Sequence, residues 1–352
     1  MLILLFENDT GNGIIPREAV MKIYTIKDIA RLSGVSVTTV SRVLNHRPDV
    51  NAATRQKVEQ VMAACHFVGN ANARSLKQQD GDTVAVILRG RSNPFLSALA
   101  EAVLRHARPL PPTFLMEFID EQADEFQAAL RLSQEKRVSG FLFLGSRIDE
   151  RAQALDGLDV PLMFATVDAS ALPRASSVSI DDRRMARRAV ETLLAAGHRK
   201  IAVFGGSREG GDSLALRYQS AMDAFRAAGL PFDEDCFVET RFSLRGAYDC
   251  ARAFFARRTD ATAVFAMSDT AAIGVIRALA DVGKRVPEDV SVFGFDGTDI
   301  GSCYVPRLST VEQPVEEIAR TSVETLTQML LSGAPPRHVT LDARLLLRES
   351  TR

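Results

Sequence analysis

The chain has 352 residues, more than one ordinary domain needs, and its 46% hydrophobic content is enough for sizeable buried cores. A formal net charge of −1 excludes a uniformly basic or acidic protein, and four cysteines without a C-x-x-C pair argue against a disulfide-rich or zinc-ribbon protein. The opening MLILLF is too short for a membrane span and precedes no small-residue cleavage site. We therefore expect a cytoplasmic protein.

The first twenty residues carry one apolar hexamer followed by Asn, Asp and Gly, with little to pack against. We expect residues 1–20 to be disordered or to lie upstream of the natural start at Met21.

Three short helices are predicted next. Thr25 and Asp28 form a capping-box pair that predicts a helix from Ile26 to about Leu32, and Gly34 ends it. Ser36 is an N-cap for a second helix with an apolar stripe, and Asn51 is an N-cap for a third helix from Ala52 to about Cys65. Two short helices joined by a glycine turn are typical of a helix-turn-helix, whose second helix reads bases in the major groove.

Charge is unevenly distributed along the chain. Residues 21–79 hold nine Lys or Arg against three Asp or Glu, a net charge of +6, whereas residues 80–352 have a net charge of −5. A basic head on an acidic body is the distribution expected when only the head touches phosphates.

The run TIKDIARLSGVS, then TVSRVLN, VNAATRQKV and NANARSL, closely resembles the headpiece of the lactose/galactose repressor family of bacterial transcription regulators. The resemblance implies a DNA-binding headpiece over residues 21–68 and a hinge helix with linker over residues 69–80. In that family two hinge helices, one per subunit, insert a leucine into the minor groove, here Leu76 with Ala73 beside it. Apolar wedges of this kind unstack a base step and kink the duplex. Gly69 departs from the usual proline, so ordering the hinge should cost more.

The predicted DNA contacts follow from this placement. The base contacts are expected from the second helix, at Val37, Thr38 and Arg42. The phosphate contacts are expected at Ser36, Thr39, Ser41, Asn45, Thr54 and Lys77. Val37 and Thr38 present methyl groups and one hydroxyl, which favours contact with thymine methyls or a water-bridged readout.

From residue 81 to the end, short apolar strands alternate with amphipathic helices, as in TVAVIL (83–88), GFLFLG (140–145) and KIAVFGG (200–206). This pattern is typical of parallel sheets covered on both faces, in an α/β fold. The strands are too many for one sheet, so we predict two doubly wound lobes, with the chain crossing between them near residues 180 and 310. Motifs such as FAMSDTAAIG, VPEDVSVFGFD and YVPRLSTV extend the resemblance, which implies a two-lobed body like the periplasmic sugar-binding proteins.

Ligands of open α/β sheets sit beyond the carboxyl ends of the strands. Polar and aromatic residues at those ends are therefore the candidate effector-binding residues: Asn93, Phe95, Arg217, Phe242, Ser268, Asp269 and Asp296. Arg217 and Asp296 are the effector-binding pair that the resemblance implies. Carboxylates accept hydroxyl hydrogen bonds and arginine donates them, a combination that suits a sugar. Strand-end aspartates also cap helices, an alternative that applies most strongly to Asp269.

No Walker A, G-x-S-x-G, H-E-x-x-H or cysteine-histidine catalytic pattern is present in the sequence. The loop GGSREGG (205–211) lacks the lysine of a phosphate-binding loop, so we interpret it as the rim of a cleft. We predict no enzyme, metal or cofactor, but a homodimeric regulator that binds pseudo-palindromic operator DNA and a small effector, most simply a repressor of a carbohydrate operon released by sugar. A corepressor-dependent repressor, an activator responding to another metabolite, and a solute-binding protein are the alternatives.

Overall fold

The computed structural model describes residues 25–44, 50–65, 83–90, 92–110, 112–206, 208, 212–241, 243–257 and 260–352, with Ile26 described by its backbone alone. The extension over 1–20, the hinge and linker over 69–80 with Ala73, Leu76 and Lys77, and the site candidates Asn45 and Phe242 lie outside the described residues. The chain divides into two compact units, residues 1–80 and 81–352.

The first unit contains three helices: α1 (Ile26–Ser33), α2 (Val37–Leu44) and α3 (Ala52–Ala64). The predicted capping box is confirmed, since Thr25 N donates to Asp28 Oδ2 at 2.9 Å and Asp28 N to Thr25 Oγ1 at 3.4 Å. Gly34 ends α1 in the left-handed region with φ of 66°, which a glycine adopts without a Cβ penalty. Asn51 caps α3 as predicted, accepting from Ala53 N at 2.8 Å.

A small apolar core holds these helices together. Its fully buried members come from all three helices: Ile29, Ala30, Val40, Val43 and Val58. Because Val40 and Val43 lie one turn apart on α2, they turn one stripe of that helix inward. The other side of α2 is left at the surface of the module.

The second unit has two lobes, each a six-stranded sheet. Lobe one contains β1 (Thr83–Arg89), β2 (Thr113–Ile119), β3 (Val138–Leu144), β4 (Leu162–Ala165), β5 (Ala175–Ile180) and β11 (His338–Leu341). Its strand order is β11-β5-β4-β3-β1-β2, and all pairs are parallel. Its helices are α4 (Pro94–Ala107), α5 (Glu125–Glu135), a 3-10 helix (Glu150–Gly157) and α11 (Val315–Ser332).

Lobe two contains β6 (Ile201–Gly205), β7 (Phe237–Glu239), β8 (Ala263–Ala266), β9 (Ser291–Asp296), β10 (Ser309–Glu312) and β12 (Arg344–Leu346). The strand order is β12-β10-β9-β8-β6-β7, parallel except for the antiparallel edge pair β10 and β12. Its helices are α6 (Asp182–Ala195), α7 (Ser213–Ala227), a 3-10 helix (Glu234–Cys236), α8 (Leu244–Arg257), α9 (Asp269–Asp281) and α10 (Asp299–Cys303).

Each sheet is covered on both faces, which explains why its central strands are continuously apolar. In lobe one, β1 turns Val84 and Val86 toward the core shared with α4 and α11, and Ala85 and Ile87 toward the core shared with α5. Lobe two is built the same way, with α8 and α9 over one face and α6 and α7 over the other. The predicted α/β fold with a helix-turn-helix module and a doubly wound body is confirmed.

The chain crosses between the lobes three times, where two crossings were predicted. The first lies between β5 and α6, the second between β10 and α11, and the third between β11 and β12. Terminal strands were expected near residues 338–347, but the third crossing was missed because β11 and β12 are short and nearly consecutive in the chain, and their local sequence does not indicate that they join different sheets. Three segments of the chain therefore connect the two lobes.

Candidate functional site

The body contains a cleft with a volume of about 750 Å³, lined by residues of both lobes. It lies beyond the carboxyl ends of the strands, where open α/β sheets hold their ligands. Asn93, Phe95, Arg217 and Asp296, four of the predicted effector residues, are among the described residues that line it. Asn93 also caps α4 by accepting from Phe95 N at 3.0 Å, so it is fixed by the fold.

Arg217 and Asp296 lie side by side in the lobe-two wall, and both are nearly inaccessible, at 6% and 3% exposure. Arg217 donates from Nε to Asp182 Oδ1 at 2.7 Å and from Nη1 to the Met267 carbonyl at 2.7 Å, and its Nη1 lies 3.6 Å from Asp296 Oδ1. Its guanidinium carbon lies 3.6 Å from the centre of the Phe295 ring, a cation–π contact. Contacts with Asp182, the Met267 carbonyl and the Phe295 ring therefore fix the orientation of the guanidinium.

Asp296 adopts a backbone conformation that non-glycine residues rarely show, with φ of 122°. Gln313, at the second crossing, secures it: its Nε2 donates to Asp296 Oδ1 at 2.9 Å and its backbone N to the Asp296 carbonyl at 3.1 Å. Burial, together with the nearby carboxyl of Asp269, raises the pKa of Asp296 to about 8. Burial favours the neutral form of this carboxyl group, whereas the charge of Arg217 favours the ionised form.

Ser268 and Asp269 are buried away from the cleft and are absent from its lining. Ser268, and not Asp269, caps α9 by accepting from Ala271 N at 3.1 Å. Asp269 accepts from Thr298 N, Thr298 Oγ1 and Thr310 Oγ1 at 2.6–2.9 Å and ties β10 to the loop after β9. Burial raises its pKa to about 6. The expectation that these two contact the effector does not fit their structural roles, because their polar atoms are already engaged inside lobe two.

Sequence reasoning missed three contacts that cross the cleft. Arg147 Nε of lobe one donates to Asp212 Oδ2 of lobe two at 3.1 Å. Ser213 Oγ of lobe two donates to the Thr166 carbonyl of lobe one at 2.7 Å. The third contact, between Arg241 Nε and Glu121 Oε1, is an ion pair at 3.3 Å. Arg147 and Glu121 follow β3 and β2 by two or three residues, so the same strand-end rule would have found them.

Glu125, at 1% exposure, supports the lobe-one side of these contacts. Its Oε1 accepts from the backbone N of Arg147 at 2.8 Å, and its Oε2 lies 4.0 Å from Nε of Arg89. Burial lowers the pKa of Arg89, which the nearby Glu125 partly offsets. The carboxyl group of Glu125 thus anchors the backbone at Arg147 and lies close to the guanidinium of Arg89, and both arginines line the cleft.

In the first unit, the predicted base-contacting residues lie on the outer side of α2. Val37 is 42% exposed although it is apolar, and Thr38 and Arg42 are also exposed. Ser36 is exposed and accepts from Thr39 N at 3.1 Å, which confirms it as the N-cap. Thr39, Ser41 and Thr54 are half-buried.

Neither a metal site nor a membrane-spanning helix is found among the described residues. Across the residues that the structure describes, no group of three or more His, Cys, Asp or Glu side chains is arranged to hold a metal ion. Within the same part of the chain, no helix has both the length and the apolar character to cross a membrane. His198 lies within hydrogen-bonding distance of Thr262 Oγ1 and Ser291 Oγ, at 3.0 and 3.1 Å.

Comparison with known proteins agrees with both units. Residues 25–70 match the model for bacterial regulatory proteins of the lacI family, and residues 190–351 match the periplasmic binding protein-like domain. The HTH-type transcriptional regulator MalR of Clostridium butyricum is 33% identical over 330 residues, covering 92% of this chain and 98% of the relative.

Two solved structures extend the comparison. A lac repressor dimer bound to operator and the anti-inducer ONPF superposes with a TM-score of 0.76 at 28% identity, covering 94% of this chain and 99% of that one. The complex of the transcriptional regulator CelR with cellobiose gives a TM-score of 0.68 at 28% identity, covering 93% and 99%. The chain therefore belongs to the lacI family of bacterial regulatory proteins, and it is a ligand-responsive DNA-binding transcriptional regulator.

Proposed function

We propose that the protein is a homodimeric repressor of a carbohydrate-utilisation operon that a sugar releases from its operator, and that it is not an enzyme. The observation that carries the proposal is the cleft, where both lobes present paired carboxyl and guanidinium groups at the carboxyl ends of their strands. Carboxylates accept hydrogen bonds from hydroxyls while guanidiniums donate to them, so the cleft is suited to a polyol.

Operator recognition is assigned to the outer side of α2. Since Val40 and Val43 are buried against α1 and α3, the exposed residues of the same helix lie on its outer side and would enter the major groove. Val37, Thr38 and Arg42 would contact bases. Ser36, Thr39, Ser41, Asn45, Thr54 and Lys77 would contact phosphates, and Leu76 with Ala73 would form the minor-groove wedge.

The coupling between effector and DNA is assigned to the angle between the lobes. A sugar bound between Arg217 and the lobe-one wall would compete for the groups that now cross the cleft, above all Arg147 with Asp212. Replacing such contacts changes the separation of the lobes and, through residues 69–80, the spacing of two hinge segments in a dimer. Coupling between two such sites is typically about 1–3 kcal/mol.

The relatives support the same reading. The relative MalR is a transcriptional regulator, CelR was solved with cellobiose, and the lac repressor was solved as a dimer on operator DNA. A corepressor-dependent repressor would use the same cleft, but its effector would strengthen operator binding. An activator would also use the same cleft, but its binding to DNA would increase transcription.

Binding-site selection from random inverted repeats, followed by fluorescence anisotropy with and without sugars, tests the proposal. We expect a preferred twofold-symmetric site, a log–log salt slope steeper than about −5 for 6–10 neutralised phosphates, and weaker binding with the effector sugar. Leu76→Ala should weaken specific binding far more than non-specific binding, because only the specific complex orders the hinge. Absence of any preferred inverted repeat would refute the proposal, and tighter binding with sugar would assign corepression instead.

A further inference from the structure

We infer that the cleft selects a neutral saccharide of two or more rings over a monosaccharide or a phosphorylated sugar. This inference rests on the proposed function and narrows its effector class. It is drawn from the length of the polar surface, the volume of the cleft and the pairing of its charges.

The polar surface of lobe two extends along four adjacent strands. Asp296 ends β9, whereas Glu239, Thr240 and Arg241 end or follow β7, and the strand order between them is β9-β8-β6-β7. With about 4.8 Å between neighbouring strands, three spacings place these groups about 14 Å apart. Arg217, on the helix that follows β6, lies at the Asp296 end of this surface, with Nη1 3.6 Å from Asp296 Oδ1.

Lobe one presents a wall of equal length. Its lining residues follow the neighbouring strands β4, β3, β1 and β2 and include Thr166, Arg147, Asn93 and Glu121. A pyranose ring with its hydroxyls, built from bonds of about 1.5 Å, is roughly 6–7 Å across. One ring would therefore reach less than half of either wall, and two rings would reach most of it.

The volume leads to the same conclusion. Ligand pockets enclose about 300 to 1,000 Å³, and a volume of about 750 Å³ lies in the upper part of that range. A single hexose packed at the density of a protein interior occupies only about 200 Å³. A monosaccharide would leave most of the cleft to water, whereas a second ring would gain hydrogen bonds at the Glu121 and Glu239 end.

The charges of the cleft favour a neutral ligand. The four arginines that line it all have acceptors in place: Arg217 has Asp182, Arg147 has Asp212, Arg241 has Glu121, and Arg89 donates to the Gly145 and Glu121 carbonyls. Five carboxyl groups share the lining, those of Glu121, Asp212, Glu239, Asp249 and Asp296. A phosphate would have to share these arginines with carboxyl groups and would lie close to like charges, whereas neutral sugar hydroxyls can be added to the existing pairs without that repulsion.

Isothermal titration of the full chain tests this with glucose, galactose, maltose, cellobiose, lactose and glucose 6-phosphate. We expect at least one disaccharide to bind at least tenfold more tightly than its constituent monosaccharides and than glucose 6-phosphate. Glu239→Gln, at the far end of the cleft, should lower the affinity for that disaccharide about tenfold and leave monosaccharide binding unchanged. Glu191→Gln is the matched control, because Glu191 is exposed on α6 and pairs with Arg187 outside the cleft.

If a constituent monosaccharide binds as tightly as the disaccharide, the inference that the ligand has two or more rings is overturned. If glucose 6-phosphate binds more tightly than the neutral sugars, the inference that the ligand is neutral is overturned. Binding of none of the disaccharides by a protein that still binds its operator would also overturn it. All three results leave DNA recognition intact. Failure of the proposed function would be recognised separately, as the absence of any preferred operator or of any sugar effect on operator binding.

Discussion

Replacing Arg217 with methionine removes a buried cation from the lobe-two wall but keeps an apolar side chain of similar length. The variant loses the hydrogen bonds to Asp182 and to the Met267 carbonyl, the ion pair with Asp296 and the cation–π contact with Phe295. Removing one partner of a buried ion pair costs about 3–5 kcal/mol, because the remaining charge is left uncompensated. We expect a loss of unfolding free energy in that range.

The size of this loss should depend on pH. Burial raises the pKa of Asp296 to about 8 and also raises the pKa of Asp182, while the charge of Arg217 opposes both shifts. An aspartate in the unfolded chain titrates near pKa 3.9, so between about pH 4 and pH 8 the folded state binds more protons than the unfolded state. The contribution of Asp296 to the unfolding free energy is therefore fully present below about pH 4 and is lost as the pH rises toward about 8. Without the charge of Arg217 the pKa values of both carboxyl groups rise further, so the loss of stability continues to higher pH.

Urea unfolding at pH 5.5 and pH 8.5 measures both effects. The deficit of the Arg217→Met variant should be larger at pH 8.5, where the carboxyl groups must ionise without their cation. Arg187→Met is the control: Arg187 is exposed and pairs with Glu191, and an exposed pair contributes at most about 1 kcal/mol. A deficit below about 1 kcal/mol for Arg217→Met, or one that is the same at both pH values, would refute this account of the site.

Further expectations concern single side chains. Val58→Ala should lower the unfolding free energy of the N-terminal unit by about 1–3 kcal/mol in thermal unfolding, because Val58 is fully buried. Val37→Ala, at an exposed position, should change stability little. An equal loss for the two variants would contradict the assigned core. Asn51→Ala should cost about 1 kcal/mol, since it removes the acceptor that caps α3, and Asn51→Asp should restore most of it. Gly297→Ala should destabilise the body by about 2 kcal/mol or more, because a Cβ would lie 2.6 Å from Glu312 Cα and φ is 76°; a stability unchanged in urea would count against this geometry.

Most of the fold could be predicted from the residues. Caps at Thr25, Ser36 and Asn51 mark the beginnings of the first three helices, because a side-chain oxygen beside an unsatisfied backbone N–H is a local feature. The parallel sheets follow from continuously apolar strands, which only burial on both faces explains. Arg217 and Asp296 could be found because strand ends converge on one edge of a sheet.

Other elements could not be predicted, because distant residues stabilise them. The strand β5 has the sequence ASSVSI, with three serines where an apolar run is expected. Its burial is possible because Ser176 Oγ accepts from Arg337 N at 3.0 Å, and Ser177 Oγ lies 2.9 Å from His338 Nδ1. Both partners come from the end of the chain, so the local sequence carries no signal for them.

The sequence by itself determined the helix-turn-helix module, the alternation of strands and helices, and the edge of the sheets where a ligand binds, since each depends on nearest neighbours along the chain or on periodic burial. The tertiary structure decided which polar residues line the cleft. Asp269 and Asp296 both follow or end a strand, yet only Asp296 lines the cleft, because Thr298 and Thr310 engage the carboxylate of Asp269 inside lobe two. The pairing of Arg147 with Asp212 likewise requires two lobes to face each other, a relation between residues far apart in the chain.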